Sequence, residues 1–311
     1  MSFPLIGNRG AAETTARMIE TGRFPHALLI EGEDGTGKRT LASYLAAAVL
    51  CEGENPPCEK CKSCHLVSVG THPDLYTVAP EAGKKNIAVE QVRKLIRETA
   101  VRPQMARSRV FVVREADTMN LQSQNALLKV LEEPVGHTVF LLLCRSRTSL
   151  LPTVISRCVT LSLITPSHEE VLSYLAERFP SKEPRAIEEA AVRCADNLGR
   201  ILGEWQTEKG KDFFDLSKQY LAAMRNRNGY EMLTLVQPVL RDRASADRFL
   251  AELSYLFLRE IRENVDDGYE VRHLTAAYDR LLLAQESLKT NINLSLLFTG
   301  LAAEYKELYS A

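Results

Sequence analysis

The sequence predicts a parallel α/β domain followed by two helical domains, and three observations carry that prediction. Short β-rich runs alternate with helix-like segments over the first 165 residues, those runs are apolar at every position, and strand signals stop after Pro166. The first run, Ala27 to Ile30, leads into a glycine-rich turn and then a helical stretch. Val110 to Val113 and Val139 to Leu143 show no alternation of apolar and polar residues, as expected of central strands covered on both faces. Ser167 with Glu170 forms a capping box ahead of Val171, Leu172, Tyr174 and Leu175, and Pro180 closes that helix. A further helix is predicted from Arg185 to Cys194, Asn197-Leu198-Gly199 punctuates, and Arg200 opens another that reaches about Trp205. From Lys211 onward the periodicity is helical, with Phe249, Leu253, Leu256 and Phe257 in one stripe and Leu281, Leu282, Leu283 and Leu288 in another. The domains are expected at 1–165, 166–208 and 209–311, with the last boundary near Gln206 to Gly210.

The chain has 311 residues, 45% hydrophobic and 25% charged, which excludes a disordered, collagenous or coiled-coil protein. A formal net charge of -1 carries no information about nucleic acid. Locally, Lys84 to Arg109 holds eight basic residues and two acidic ones, which suits either a DNA backbone or a plain solvated face. Glu90 and Lys94, four apart, are expected to support a helix. No apolar run approaches the ~20 residues of a bilayer span, and Met1 to Arg9 lacks the pattern of a secretion signal, so a soluble cytoplasmic protein without a membrane partner is expected.

Gly32-Glu33-Asp34-Gly35-Thr36-Gly37-Lys38 follows a strand and precedes a helix, the context of a phosphate-binding loop. Gly32, Gly35 and Gly37 let backbone N–H groups converge on phosphate oxygens, and Lys38 adds a cation at the outer phosphates. A bare strand-to-helix turn is the plain alternative. Position 39, where Ser or Thr would ligate magnesium, holds Arg39, and Thr40 is rotated by about 100° around the helix. Where a strand-ending aspartate would complete such a site, the chain has Arg114, followed by Glu115 in the place of a water-activating carboxylate. The loop therefore reads as retained architecture without a magnesium-dependent engine, and ATP binding is in doubt. Capping or surface pairing by both arginines is the blander alternative.

Cys51, Cys58, Cys61 and Cys64, with six, two and two residues between them, suit a closed tetrahedral zinc site in which Lys60 and Lys62 offset the thiolate charge. Disulfides and an iron–sulfur cluster are the alternatives that spacing leaves open. His65 and His72 are expected to be structural, and Cys144, Cys158 and Cys194 ordinary core residues.

These features, with the run Asn125-Ala126-Leu127-Leu128-Lys129-Val130-Leu131-Glu132-Glu133-Pro134 and Ser156-Arg157-Cys158, resemble the bacterial clamp-loader subunits. The likeness covers essentially the whole chain, including Asn291-Ile292-Asn293-Leu294. The resemblance implies an AAA+ module, made of a P-loop α/β domain with a structural zinc module at 51–64 and a small helical lid, followed by an all-α collar that assembles five subunits into a ring. At Arg39 and Arg114 the chain is similar to the family's non-hydrolysing member, and an ATP-hydrolysing gamma/tau-type subunit is the alternative. On this resemblance Arg157 matches the arginine finger that reaches ATP held by a neighbouring subunit, a catalytic role in trans without intrinsic catalysis. Arg200 matches the lid's sensor arginine and joins Gly32, Gly35, Gly37 and Lys38 in a vestigial nucleotide site. The implied partners are gamma/tau and delta subunits in a hetero-pentamer, the sliding clamp, and primer-template DNA during replication by the polymerase holoenzyme. Polymerase chemistry itself is not expected, because no paired metal-binding carboxylates are visible. A zinc-binding P-loop kinase would leave the helical third domain unexplained.

Overall fold

A computed structural model describes residues 5–81, 83–134, 136, 138–206, 209–265, 267–288, 290 and 292–308. Asn291 of the family motif and positions 207–208 of the expected boundary lie outside the described residues. The chain divides into two compact units, Met1–Arg200 and Ile201–Ala311.

In the first unit, α1 (Arg9–Thr21) precedes β1 (Ala27–Glu31), α2 (Lys38–Leu50) and α3 (Lys62–Ser68). Then come β2 (Leu75–Val78), α4 (Val89–Thr99), β3 (Arg109–Val113), α5 (Leu121–Glu132), β4 (Thr138–Cys144), α6 (Pro152–Ile155) and β5 (Val159–Ser162). The described strands form one parallel five-stranded sheet in the order β2-β3-β4-β1-β5. The missing alternation in the predicted strands now has its reason. Ala27, Leu29, Phe111, Val113, Phe140 and Leu142 enter a core with Val92 and Leu95 of α4 and Leu127 and Leu131 of α5. The intervening Leu28, Ile30, Val110, Val112, Val139 and Leu141 pack on the other face with α1 and α2 through Met18, Leu41 and Leu45. Both faces are apolar because both are covered by helices.

β2 and β5 lie outside the predicted strands. Each is an edge strand of four residues with one neighbour, and β5 leaves Val159 exposed, so neither carries a both-face apolar signature. The short β-prone run Leu75-Tyr76-Thr77-Val78 was the available signal for β2.

Beyond the sheet, α7 (His168–Arg178) opens with the predicted capping box: the Glu170 N–H donates to Ser167 Oγ, and the Ser167 N–H donates to Glu170 Oε2 at 2.9 Å. α8 spans Pro184–Arg193 and α9 spans Leu198–Gln206. The punctuation expected at Asn197-Leu198-Gly199 falls partly inside α9, whose Gly199 lies against the backbone of Gly35.

The second unit holds α10 (Lys209–Arg225), α11 (Gly229–Leu235), α12 (Arg243–Glu263), α13 (Gly268–Leu288) and α14 (Leu294–Leu308). Phe249, Leu253, Leu256 and Phe257 are all buried in its core. The second predicted stripe holds only at Leu281 and Leu288, whereas Leu282 and Leu283 are exposed. Neighbours along a helix point about 100° apart, so consecutive leucines cannot all face one core. Among the described residues no helix is long and apolar enough to cross a membrane.

Candidate nucleotide site and metal centre

The glycine-rich loop leaves the end of β1, where the Gly32 N–H donates to the carbonyl of Cys144 at the end of β4, and it runs into α2. Gly35 and Gly37 have φ of 86° and 92°, a left-handed backbone that glycine adopts without a Cβ penalty. The cradle is closed by the protein itself. A Cβ at Gly35 would lie 1.8 Å from Asn197 Oδ1, and one at Gly37 would lie 2.3 Å from Leu5 Cδ2. The Asn197 amide donates to the Asp34 carbonyl while its Oδ1 accepts the Arg200 N–H at 3.0 Å, so one side chain caps α9 and grips the loop. A Cβ at Gly199 would meet Gly35 Cα at 2.7 Å, which leaves room only for backbone against backbone.

Lys38 Nζ donates to the carbonyls of Gly32 and Glu33, the latter at 2.9 Å, and sits 3.6 Å from the Asp34 carboxylate. Thr36 Oγ1 also donates inward, to the Glu33 carbonyl at 2.8 Å. Around the loop the charges pair among themselves. Arg39 holds Glu115 at 3.1 Å, Arg145 holds Asp34, and Arg147 lies 3.7 Å from Glu31. Burial and the positive charge of Arg39 lower the Arg114 pKa against the pull of Glu115. Burial also lowers that of Arg145, but Asp34, Asp117 and Glu33 together raise it and the net shift is upward. Glu115, with φ of 55°, is thus paired to an arginine in a left-handed turn at the end of β3.

The residues predicted for the nucleotide site and the arginine finger sort into three places. Gly32, Gly35, Gly37 and Lys38 form the loop; Arg200 lies in the first turn of α9 with an exposed side chain, and the residue beside α9 that meets the loop is Asn197. No sequence signal beyond its place before Gly199 pointed to Asn197. Arg157 lies past α6, where Nη1 donates to the Thr153 carbonyl at 2.7 Å and Nη2 pairs with Glu132 at 2.5 Å.

Cys51, Cys58, Cys61 and Cys64 are brought together, their sulfurs all within 4.8 Å of one another. The Cys51 and Cys61 sulfurs are 3.9 Å apart, close to the ~3.8 Å edge of a tetrahedron with Zn–S bonds of about 2.3 Å. Backbone N–H groups of Gly53 and Cys58 point at the Cys51 sulfur, and that of Cys61 points at the Cys58 sulfur. The cluster can hold a metal ion and is compatible with zinc. Beside it, buried His72 accepts the Asp74 N–H and meets Ser63 Oγ, which donates to Glu52, so it is a structural histidine. Asp74, fully buried, accepts the N–H groups of Gln104, Met105 and Ala106 at 2.7 to 2.9 Å. Those bonds hold its pKa below the ordinary carboxylate value although burial pushes upward. Burial pushes the Cys144 and Cys158 thiols up to about 12, which fits inert core residues.

In the basic segment, seven of the eight cations are exposed. The eighth, Arg109, is buried between Asp74 and Glu98. Glu90 faces Arg93 at 4.0 Å, where Lys94 was expected.

Comparison with known proteins follows the same pattern. The family profile described as "DNA polymerase III, delta subunit" matches residues 7–167, just over half of the chain. DNA polymerase III subunit delta' of Pseudomonas aeruginosa is 32% identical over 305 residues, covering 91% of this chain and 92% of that protein. DNA polymerase III subunit tau of Escherichia coli is 28% identical over 264 residues, which covers 83% of this chain and 40% of tau. A gamma subunit-related protein of Thermotoga maritima superposes with a TM-score of 0.55 at 20% identity, covering 96% of this chain and 99% of that one, and supports the AAA+-like fold. A profile match over half the chain and a delta' relative aligned almost end to end agree, and this chain belongs to the DNA polymerase III delta' family.

Proposed function

We propose that this chain is a non-hydrolysing subunit of a DNA polymerase III clamp loader, and that it supplies Arg157 to ATP held by a neighbouring subunit. The observation that carries the first half is the phosphate loop. Lys38 is committed to the loop's own carbonyls, Asn197 fills the space over Gly35, and Arg39 stands where a magnesium-ligating hydroxyl is needed. The tau likeness favours an ATP-hydrolysing reading, but Arg39 and Arg114 deny it both metal-holding positions.

The second half rests on Ser156-Arg157-Cys158. A guanidinium delivered to a transferring phosphoryl group stabilises its charge, and comparable fingers are worth roughly 10³ to 10⁵ in rate. Within the assembly this chain joins gamma/tau-type and delta-type subunits around primer-template DNA, with 166–208 acting as lid and 209–311 as collar, and helps load the sliding clamp. The four cysteines hold a structural zinc, since four thiolates leave no open coordination position.

Magnesium-dependent ATP turnover tests the reading, measured for the purified chain and for its assembly with a cognate ATPase subunit. No turnover by the chain alone and a loss of at least a hundredfold in the assembly with Arg157→Ala are expected. Turnover by the isolated chain overturns the non-hydrolysing assignment.

A further inference from the structure

Arg157 has a fixed resting place, and the residue that fixes it is Glu132. Nη1 donates to the Thr153 carbonyl at 2.7 Å and to Ser156 Oγ at 3.4 Å, while Nη2 meets Glu132 Oε1 at 2.5 Å. Glu132 is the last residue of α5, and the geometry of α5 against α6 is built in. Buried Gln124 of α5 donates to the Ser149 carbonyl and accepts the N–H of Leu151, the residue just before α6. Leu131 and Val154, one from each helix, lie in the same core. A packed joint therefore sets the carboxylate within reach of the guanidinium.

We infer that Glu132 is the positioning residue for Arg157: its carboxylate holds the finger down on the end of α6 in the unengaged subunit and is displaced when a neighbouring subunit's nucleotide arrives. This rests on the arginine-finger reading above and adds the group that regulates it. The exchange is physically reasonable in magnitude. The side chains of Arg157 and Glu132 are 32% and 48% exposed, and pairs of that kind are weak, so the clasp biases the finger without locking it. A multiply charged triphosphate brought to the same guanidinium outcompetes one solvated carboxylate. The neighbouring site meanwhile works against that competition at every binding event.

The test uses the reconstituted assembly, with ATP turnover measured across ATP concentrations for wild type, Glu132→Gln, Arg157→Ala and the double variant. Glu132→Gln keeps the shape and removes the charge, so the KM for ATP should fall about two- to fivefold with kcat little changed. The fall should shrink in high salt, because the pair is exposed. Glu133→Gln, on the adjacent acid, should leave KM where it was, and the double variant should match Arg157→Ala. An unchanged or raised KM in Glu132→Gln, or a lowered kcat, overturns the clasp while leaving the finger intact if Arg157→Ala still abolishes turnover. An Arg157→Ala assembly that turns over normally overturns both. Thermal midpoints of the isolated variants should stay within a degree or two of wild type, which separates the clasp from a folding role.

Discussion

Lys38 is tied into its own glycine-rich loop. Its ammonium donates to the Gly32 and Glu33 carbonyls and forms an ion pair with the Asp34 carboxylate at 3.6 Å. A residue of the same kind controls the turn that delivers Asn197. His168 bridges Asp196 at 2.7 Å and Glu188 at 3.0 Å, and those two partners raise its pKa above the ordinary 6.5. The turn they stabilise runs through Ala195 and Asp196, both at positive φ. Because the folded pKa lies above the unfolded one, this stabilisation is fully present below about pH 6.5 and is lost as pH rises through the folded value. We expect the thermal midpoint to fall between pH 6.5 and the alkaline side of the imidazole titration, and His168→Gln to flatten that slope. Parallel melts of the two proteins across pH 6 to 9 check it, with the imidazole followed by NMR; equal slopes would remove His168 from the account.

Among elements, α9 carries the sharpest constraint. Its Gly199 presses on Gly35, where an added Cβ would come within 2.7 Å of Cα, whereas Gly203 in the same helix has nothing within 4 Å of that position. Helix propensity alone makes either Gly→Ala change favourable by about 1 kcal/mol. We expect the two to part in sign: Gly203→Ala stabilises by about 0.5–1 kcal/mol, and Gly199→Ala destabilises by about 1–3 kcal/mol because the loop backbone has to move. Urea unfolding of both variants measures the difference, and two stabilising substitutions would show that α9 does not bear on the loop. Periodicity marked these helices well, since α7 and α8 lie within a residue or two of the segments read from caps and prolines. Their neighbours across the fold were not legible. Leu282 and Leu283 look like core leucines in the sequence, and only the packing of α13 shows them exposed.

At the scale of the whole molecule, the two units have separate cores: one set around Leu29 and Phe111 on the faces of the sheet, another around Phe257 and Tyr305 among the last helices. Calorimetry should therefore resolve more than one transition. Leu29→Ala, at a fully buried position, should cost about 2–5 kcal/mol and lower the first unit's transition, and the zinc proposed at the four cysteines predicts the same of a strong chelator. Phe257→Ala should lower the other by a similar amount. A single transition displaced equally by every change would mean that the units unfold as one.

The sequence by itself determined the parallel sheet, the capping box, the four-cysteine cluster and the presence of arginines at positions 39 and 114. Each of these is written in neighbouring positions, as periodicity, spacing or a motif of a few residues. Tertiary structure alone decided the edge strands, the exposure of Leu282 and Leu283, the seat of Asn197 on the glycine-rich loop and the pairing of Glu132 with Arg157. Asn197 bonds Asp34 across 163 positions of chain, and Glu132 meets Arg157 only because α5 and α6 share a core. Contacts of that kind leave no local pattern, since their partners are chosen by packing and not by propensity.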